Sequence, residues 1–276
     1  MKCAWESLMQ ILPTWLRPEV DRLGKERMQE LRLRMGKLPE LVMGKESIWL
    51  NQDCRMDDLN YVINTASRYS PWAAETIGEG YLTAPGGHRI GICGKAVVHG
   101  GNVTGIRQPE SLCIRVARDF PGIAGGAANL SGSVLIVGPP GSGKTTLLRD
   151  LIRQISLRET VGVVDERGEL FPQGTFEEGK RLDVLTGCPK GDGIMMVLRT
   201  MGPDSIAVDE ITAREDCEAL LHAGWCGVRL LATVHGSGPE ELKSKPLFKP
   251  LVEGKLFDHV LVLDREKCFH REEMEP

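Results

Sequence analysis

The sequence predicts an α/β protein with two domains: a C-terminal domain built on a mainly parallel sheet, and a smaller α+β domain before it. After residue 126, short apolar strands alternate with helical segments, which is the pattern of a parallel sheet. Over residues 81–117, short strands are separated by glycine turns. Between these regions Pro and Gly accumulate and periodicity is lost. We therefore expect domains at 1–118 and 127–276, with a linker at 119–126.

Length and composition narrow the class of protein. A chain of 276 residues is long enough for two domains with their own cores. The formal net charge of −4 argues against the global basic field of a nucleic-acid-binding protein. No apolar run approaches the roughly 20 residues of a membrane-spanning helix, and the start of the chain, which carries Glu6, does not predict a signal peptide. The eight cysteines form no C-x-x-C pair, which indicates a reduced, cytosolic protein.

The first 35 residues are predicted to be largely helical. An apolar stripe at helical spacing runs from Trp5 to Leu12 and ends at Pro13, which breaks the helix. A second helical pattern runs from Val20 to Met35. Its last part, Arg27–Arg34, ends in the alternation of a strand, so both interpretations stay open there.

The rest of the N-terminal domain is predicted to contain a hairpin, two helices and a group of short strands. The hairpin strands are Leu41–Met43 and Ile48–Leu50, on either side of a glycine turn. The helices are expected at Met56–Tyr69 and Ala73–Ile77. The strands that follow are expected at Tyr81–Thr83, His88–Ile92, Lys95–Val98, Val103–Ile106 and Ser111–Ala117.

The C-terminal domain shows the strongest alternation of strands and helices. Its predicted strands are short apolar runs at Val134–Val137, Val161–Asp165, Ser205–Asp209, Val228–Val234 and His259–Leu263. Its predicted helices lie at Thr145–Ser156, around Met195–Met201, at Arg214–Gly224 and, in broken form, near Pro239–Leu251.

A glycine-rich segment follows the first of these strands. It fits the phosphate-binding pattern G-x-x-x-x-G-K-[ST] and leads into a helix, as the pattern requires. Its glycines let successive backbone N–H groups point at one phosphate, and the helix N-terminus adds its dipole. Lys144 is expected to reach the β- and γ-phosphates, and the Thr145 hydroxyl to ligate Mg²⁺. The predicted nucleotide-binding residues are Gly138, Pro139, Pro140, Gly141, Ser142, Gly143, Lys144, Thr145 and Thr146.

Two other strands of the C-terminal domain end in carboxylates. The strand Ser205–Asp209 leads into Glu210, which is a Walker-B pattern: Asp209 is expected to hold Mg²⁺ and Glu210 to orient or deprotonate the attacking water. The strand at Val161 ends in Asp165 and Glu166, followed by Glu169. A carboxylate near Mg²⁺ can accept the proton of a water molecule, so these residues compete with Glu210 for the role of general base. The choice between Glu166 and Glu210 stays open.

Three further residues are candidates for a part in catalysis. His235 ends the strand at Val228–Val234, beside the other strand ends, where it can hydrogen-bond the γ-phosphate or the water. Arg181 and Arg199 are candidates for neutralising charge in the transition state, either in their own subunit or across an interface.

These motifs together resemble the type II/IV secretion and pilus ATPases, which are P-loop NTPases with a RecA/AAA-like fold. The resemblance rests on Pro140–Thr146, on Asp165-Glu166, on Leu198–Asp204 before the Walker-B strand and on Ala232–Gly236. A sporulation family of endospore-forming bacteria, the stage III AA proteins, is more similar still. Its features are seen in Asp165–Glu169, Arg181–Lys190, Val208–Ile211, Ala223–Arg229, His88–Gly94 and Ser111–Val116, so the resemblance covers most of the chain.

The resemblance implies an ATPase that binds ATP and Mg²⁺ and forms a homo-oligomeric, hexameric ring. It implies a place at the cytoplasmic face of a membrane complex, with membrane-embedded channel or secretion proteins as partners and no specific nucleic acid. Two departures bear on the general base: the acidic strand end lacks the Asp-Pro of secretion ATPases, and Glu210 follows Asp209 directly. Because few residues follow the last predicted strand, we do not expect the long C-terminal domain of secretion ATPases. An ATP-binding scaffold with negligible hydrolysis and a nucleic-acid motor are the alternatives.

Overall fold

The computed structural model describes residues 3–67, 80–172, 179–264 and 266–272. Contacts divide the chain into two compact units. The first consists of Met1–Asp119 with Pro172–Phe176, and the second of Phe120–Phe171 with Glu177–Pro276. The helix predicted at Ala73–Ile77 lies outside the described residues. Of the linker predicted at 119–126, residues 120–126 fall within the second unit, where the backbone N–H groups of Gly122 and Ala124 donate to Asp150.

The first unit is built on a six-stranded sheet in which every neighbouring pair is antiparallel, in the order β3-β2-β1-β6-β5-β4. The strands are β1 (Glu30–Arg34), β2 (Glu40–Met43), β3 (Glu46–Trp49), β4 (Tyr81–Thr83), β5 (Arg89–His99) and β6 (Asn102–Arg115). The helices are α1 (Trp5–Ile11), α2 (Arg17–Gly24) and α3 (Met56–Ala66). The hairpin of β2 and β3 confirms the prediction.

The structure corrects the prediction of helix up to Met35. Strand β1 occupies Glu30–Arg34 instead, so the strand interpretation of this segment is right. Leu31 and Leu33 are fully buried in the core, while Glu30, Arg32 and Arg34 are half-buried, which is the period of a strand. The helical pattern failed here because Leu31 and Leu33 pair with Ile114 and Leu112 of β6, a long-range contact that local spacing does not encode.

The four strands predicted between residues 88 and 117 are two long strands in the structure. Strands β5 and β6 pair along almost their whole length, with irregular register around Gly94 and between Val97 and Val98. A Cβ atom at Gly94 would lie 2.3 Å from the backbone oxygen of Gln108. Glycine therefore marks a close approach of two strands within one hairpin, and not the end of a strand.

The second unit is built on a seven-stranded sheet in the order β13-β12-β7-β11-β10-β8-β9. The described pairs are parallel except the last at one edge, between β12 and β13. The strands are β7 (Val134–Gly138), β8 (Val161–Asp165), β9 (Leu182–Thr186), β10 (Ser205–Val208), β11 (Arg229–His235), β12 (His259–Leu263) and β13 (Phe269–Glu272). The helices are α4 (Lys144–Ile155), α5 (Lys190–Met201), α6 (Arg214–Trp225), α7 (Pro239–Ser244) and α8 (Lys249–Glu253).

All five strands predicted in this unit are present, with ends shifted by at most one residue. The prediction missed β9 and β13, because both are edge strands whose residues are half-buried or exposed and lack a continuous apolar run. None of the helices in the described part of the chain has the length and apolar character that a membrane span needs.

The central strands carry apolar residues on both faces because helices cover both. In β7, Val134 and Ile136 belong to the core that contains α4 residues, whereas Leu135 and Val137 belong to the core of α5 and α6. Strands β7 and β11 end together, since His235 pairs with Gly138, whereas Val208 at the end of β10 pairs with Ala232, three residues before the end of β11. This edge of the sheet is where the candidate site is assembled.

Candidate active site

The loop between β7 and α4 has a backbone that requires its glycines. Gly141 and Gly143 have φ angles of 76° and 100°, a left-handed conformation that other residues rarely adopt. A Cβ atom at Gly138 would lie 2.6 Å from the Ser142 hydroxyl oxygen. That hydroxyl is buried and has no hydrogen-bond partner among the described residues, so it is free to bind a ligand. The loop precedes the N-terminus of α4, which makes it a receptor for phosphate.

Lys144 begins helix α4 and turns its ammonium group back onto the loop. The Nζ atom donates to the backbone oxygens of Gly138 and Pro139, at 2.9 and 3.0 Å. It lies 2.9 Å from Nδ1 of His235, at the end of the neighbouring strand β11. Burial lowers the pKa of Lys144 from its ordinary value, and the charges of Asp209 and Glu210 oppose that shift.

Asp209 directly follows β10 and joins two other segments of the unit. Its Oδ2 atom accepts a hydrogen bond from the Thr145 hydroxyl at 2.7 Å, and its Oδ1 atom accepts one from the Thr233 hydroxyl at 2.6 Å. Thr145 belongs to the phosphate loop and Thr233 to β11. The two residues predicted to hold Mg²⁺, Thr145 and Asp209, are therefore in direct contact.

Glu210 has a positive φ angle, a backbone conformation that non-glycine residues rarely adopt. Its φ angle is 58°, and its N–H group donates to the Thr233 hydroxyl at 2.7 Å. Its Oε1 atom accepts a hydrogen bond from Nε2 of His235 at 2.9 Å, and its Oε2 atom lies 3.7 Å from Nη1 of Arg167. The main chain thus bends sharply after Asp209, and the bend aims the Glu210 carboxylate at His235.

His235 connects the phosphate loop with Glu210. The Lys144 ammonium group can only donate, so Nδ1 of His235 is the acceptor and Nε2 carries the proton that is donated to Glu210. This arrangement defines the neutral tautomer of the ring. His235 therefore lies within hydrogen-bond distance of two other predicted site residues, Lys144 and Glu210.

The carboxylates after β8 have different surroundings. Asp165 is 2% exposed and accepts hydrogen bonds from the N–H groups of Glu169, Leu170 and Phe171, at 2.8 to 3.1 Å. Burial raises the pKa of Asp165, and these three N–H groups oppose the shift. Both oxygens are occupied in holding the turn, so the structure assigns Asp165 to the support of that turn.

Glu166 lies beside the Walker-B residues but is already paired. Its carboxylate forms an ion pair with the ammonium group of Lys190, the first residue of α5, which is 7% exposed. Glu166, Glu169, Asp209 and Glu210 all line one small cleft. The two candidates for general base therefore share a cleft and differ in their partners.

The predicted arginines are not brought to this cluster within the chain. The backbone oxygen of Arg181 accepts from Val161 at the start of β8, and its guanidinium donates to the backbone oxygen of Arg158 at 2.7 Å. It therefore lies at the opposite edge of the sheet from the phosphate loop. Arg199 is exposed, nine residues along α5 from Lys190, or roughly 14 Å of helix.

Sequence reasoning missed three residues of the cluster: Arg167, Lys190 and Thr233. Arg167 lies in the same acidic stretch as Glu166, and Thr233 lies two residues before His235 in its strand. Their closeness in sequence to Glu166 and His235 could have indicated both residues. No feature of the sequence indicated Lys190, since only the fold brings the start of α5 to the end of β8.

The described residues include no group of three or more His, Cys, Asp or Glu side chains that could hold a metal ion. Mg²⁺ in phosphoryl-transfer sites is held by one or two protein ligands together with phosphate oxygens and water. The Thr145 hydroxyl and the Asp209 carboxylate have the chemistry for such a site, and the free Ser142 hydroxyl fits a phosphate-binding loop.

Comparison with known proteins identifies the family. The family model described as "Sporulation stage III, protein AA" matches residues 4–271. The chain belongs to this family. It is 36% identical over 281 residues to the stage III sporulation protein AA of Bacillus subtilis, covering 94% of this chain and 91% of that protein. It is 24% identical to the uncharacterized protein ycf45 of Porphyra purpurea, over 90% of this chain and 44% of that protein.

Solved structures extend the comparison to the fold. The ATPase DotB of Legionella pneumophila superposes with a TM-score of 0.62 at 18% identity, over 91% of this chain and 76% of that one. The pilus retraction motor PilT, solved with bound ADP, gives a TM-score of 0.61 at 16% identity, over 90% and 76%. The predicted family and the predicted α/β fold of P-loop NTPase type are thereby confirmed.

The left-handed glycines of the phosphate loop allow a direct test of its conformation. We expect Gly143→Ala to lower the free energy of unfolding by about 1–2 kcal/mol, since L-residues are strained at a φ of 100°. Gly126→Ala is the control, because nothing lies near a Cβ atom there and its φ is ordinary. Denaturant unfolding of both variants measures the difference; equal stability would contradict the loop conformation.

Proposed function

We propose that the chain is a Mg²⁺-dependent ATPase of the secretion-motor type. The observation that carries this proposal is the hydrogen-bonded cluster of Thr145, Asp209, Glu210, His235 and Lys144. It draws on the phosphate loop and on the ends of two neighbouring parallel strands, which is where nucleotide sites of such sheets are found. The family membership and the likeness in fold to the ATPase DotB and the pilus retraction motor PilT agree with this function.

The phosphate loop binds the nucleotide in this proposal. Backbone N–H groups of Gly141–Thr146, at the N-terminus of α4, face the phosphates, and the Ser142 hydroxyl gains a partner there. The Lys144 ammonium group then donates to phosphate oxygens in place of the backbone oxygens of Gly138 and Pro139. Thr145 and Asp209 are the residues that would hold Mg²⁺, which neutralises charge on the phosphate oxygens when it is bound.

Glu210 is the general base in this proposal. Its carboxylate takes a proton from water, whose oxygen forms a bond to the γ-phosphorus while the bond to the β–γ bridging oxygen breaks and ADP leaves. Glu210 is favoured over Glu166 because it follows Asp209 directly and shares His235 with Lys144. Glu166 is engaged by the buried Lys190 and serves to position the start of α5.

His235 senses the nucleotide, because its two ring nitrogens contact Lys144 and Glu210. Arg181 and Arg199 lie away from the cluster of their own chain, so any charge neutralisation by them acts on a neighbouring subunit. Such head-to-tail contacts close into rings, and we propose a hexamer. The name of the Bacillus subtilis relative places that protein in sporulation stage III. We infer the same process here, with the ring at the cytoplasmic face of a membrane-embedded channel or secretion complex.

Removal of the phosphate-loop lysine tests nucleotide hydrolysis. We expect Lys144→Ala to lower ATP turnover by a factor of about 100 or more, since charge stabilisation at the transferred phosphate is lost. Lys249→Ala is the control, because the Lys249 side chain is exposed to solvent and its ammonium group pairs with Glu253. A phosphate-release assay compares the two. Wild-type turnover in Lys144→Ala would disprove the assignment of the loop.

Amide substitutions at the two glutamates decide the general base. We expect Glu210→Gln to bind ATP but to lose turnover by a factor of about 100 or more, because an amide accepts no proton. Glu166→Gln is expected to keep most of its turnover, since its partner Lys190 still finds an acceptor. Nucleotide affinity and turnover are measured for both. Loss confined to Glu166→Gln would move the base to that residue, and two active variants would exclude both.

The mass of the protein in solution tests the ring. We expect a non-hydrolysable ATP analogue to shift the mass towards six subunits, because the arginines of one subunit then meet phosphate on the next. Light scattering with and without the analogue measures this, and Lys144→Ala serves as the control that lacks the response. A monomer under all conditions would contradict the motor. ATP binding without turnover would indicate the scaffold, and stimulation by DNA would indicate the nucleic-acid motor.

A further inference from the structure

Thr233 lies at the centre of the cluster, although it is not one of the predicted site residues. It lies in β11, between the strand of the phosphate loop and the Walker-B strand, and it is fully buried. A threonine hydroxyl in such a position must use its hydrogen-bonding capacity within the protein, because water does not reach it. Its partners are therefore fixed by the fold.

The directions of the two hydrogen bonds to Thr233 are determined by chemistry. The N–H group of Glu210 can only donate, so the hydroxyl oxygen accepts that bond at 2.7 Å. The single hydroxyl proton is then donated to Oδ1 of Asp209, at 2.6 Å. One hydroxyl thus sets the orientation of the carboxylate at Asp209 and of the main chain at Glu210.

The main chain of Thr233 contributes a third contact to the same bend. Its carbonyl oxygen accepts a hydrogen bond from the N–H group of Ile211 at 2.9 Å. The peptide N–H groups before and after the Glu210 α-carbon, those of Glu210 and Ile211, are thereby both bonded to Thr233. The φ angle of Glu210 between them is 58°. A strained conformation persists only when its surroundings hold it, and these contacts supply that support.

We propose that Thr233 is a positioning residue for hydrolysis, acting through Asp209 and Glu210. This inference rests on the proposed ATPase function and deepens it. Thr233→Val keeps the shape of the side chain and removes both hydroxyl contacts, whereas Thr233→Ser keeps the hydroxyl. The pair of variants therefore separates the role of the hydroxyl from that of packing.

The first experiment measures amide hydrogen exchange of Glu210 by NMR, without nucleotide. We expect exchange in Thr233→Val to rise by a factor of about 10 or more, since the amide loses its acceptor, and Thr233→Ser to resemble wild type. This measurement does not depend on hydrolysis. Unchanged exchange in Thr233→Val would overturn the proposal, even if the protein proves to be an ATPase. If Thr233→Val does not fold, Thr233→Cys, whose thiol is a weak partner, takes its place with the same expected result.

The second experiment measures steady-state ATP hydrolysis. We expect Thr233→Val to lower kcat by a factor of about 10 or more with KM for ATP within about twofold, and Thr233→Ser to restore kcat. Ser205→Ala is the control: it removes another buried hydroxyl of the sheet, which donates to Glu159 at the opposite end of β10, and kcat should stay unchanged. Wild-type kcat in Thr233→Val beside an inactive Glu210→Gln would overturn the proposal. A wild-type protein without hydrolysis would instead refute the proposed function, and the exchange measurement would still decide the role of Thr233.

Discussion

The polar residues at the carboxyl ends of the strands in the second unit depend on the hydrogen bonds that the Asp209 carboxylate accepts. Two hydroxyl groups hold it, one from the phosphate loop at Thr145 and one from the neighbouring strand at Thr233. Because both donors come from other segments, the carboxylate fixes the distance between the end of β10 and the start of α4. The bend at Glu210 and the contact of Glu210 with His235 follow from the same hydrogen-bonded connection.

Parallel strands explain why these polar groups meet at all. All the neighbouring strands from β12 to β9 run in one direction, so their carboxyl ends share an edge, while helices bury both faces of the sheet. Loops at that edge are the part of the unit where polar groups need not be buried among apolar side chains. Backbone strain is found at that edge as well, at Glu210, whose φ angle is positive.

Local sequence predicted the second unit better than the first. Strands such as Val161–Asp165 are predicted correctly because a strand that is buried on both faces appears in the sequence as a continuous apolar run. The alternation at Glu30–Arg34 was compatible with two interpretations, and the edge strands β9 and β13 carried no apolar run. The strands predicted at His88–Ile92 and Lys95–Val98 form one strand, because Gly94 between them lies at a close approach of two paired strands. At Glu30–Arg34 the deciding contact is with β6, far away in the chain.

By itself the sequence determined the phosphate loop, five of the seven strands of the second unit, and the residue types at the strand ends. Those features depend on local spacing and on backbone conformations that only glycine adopts readily. Tertiary structure alone decided which residues touch. Thr145 reaches Asp209 across 64 residues of chain and Lys144 reaches His235 across 91, and Lys190 engages Glu166 from the start of another helix. Such partners are set by the order of strands in the sheet, a long-range property that short stretches of sequence do not contain.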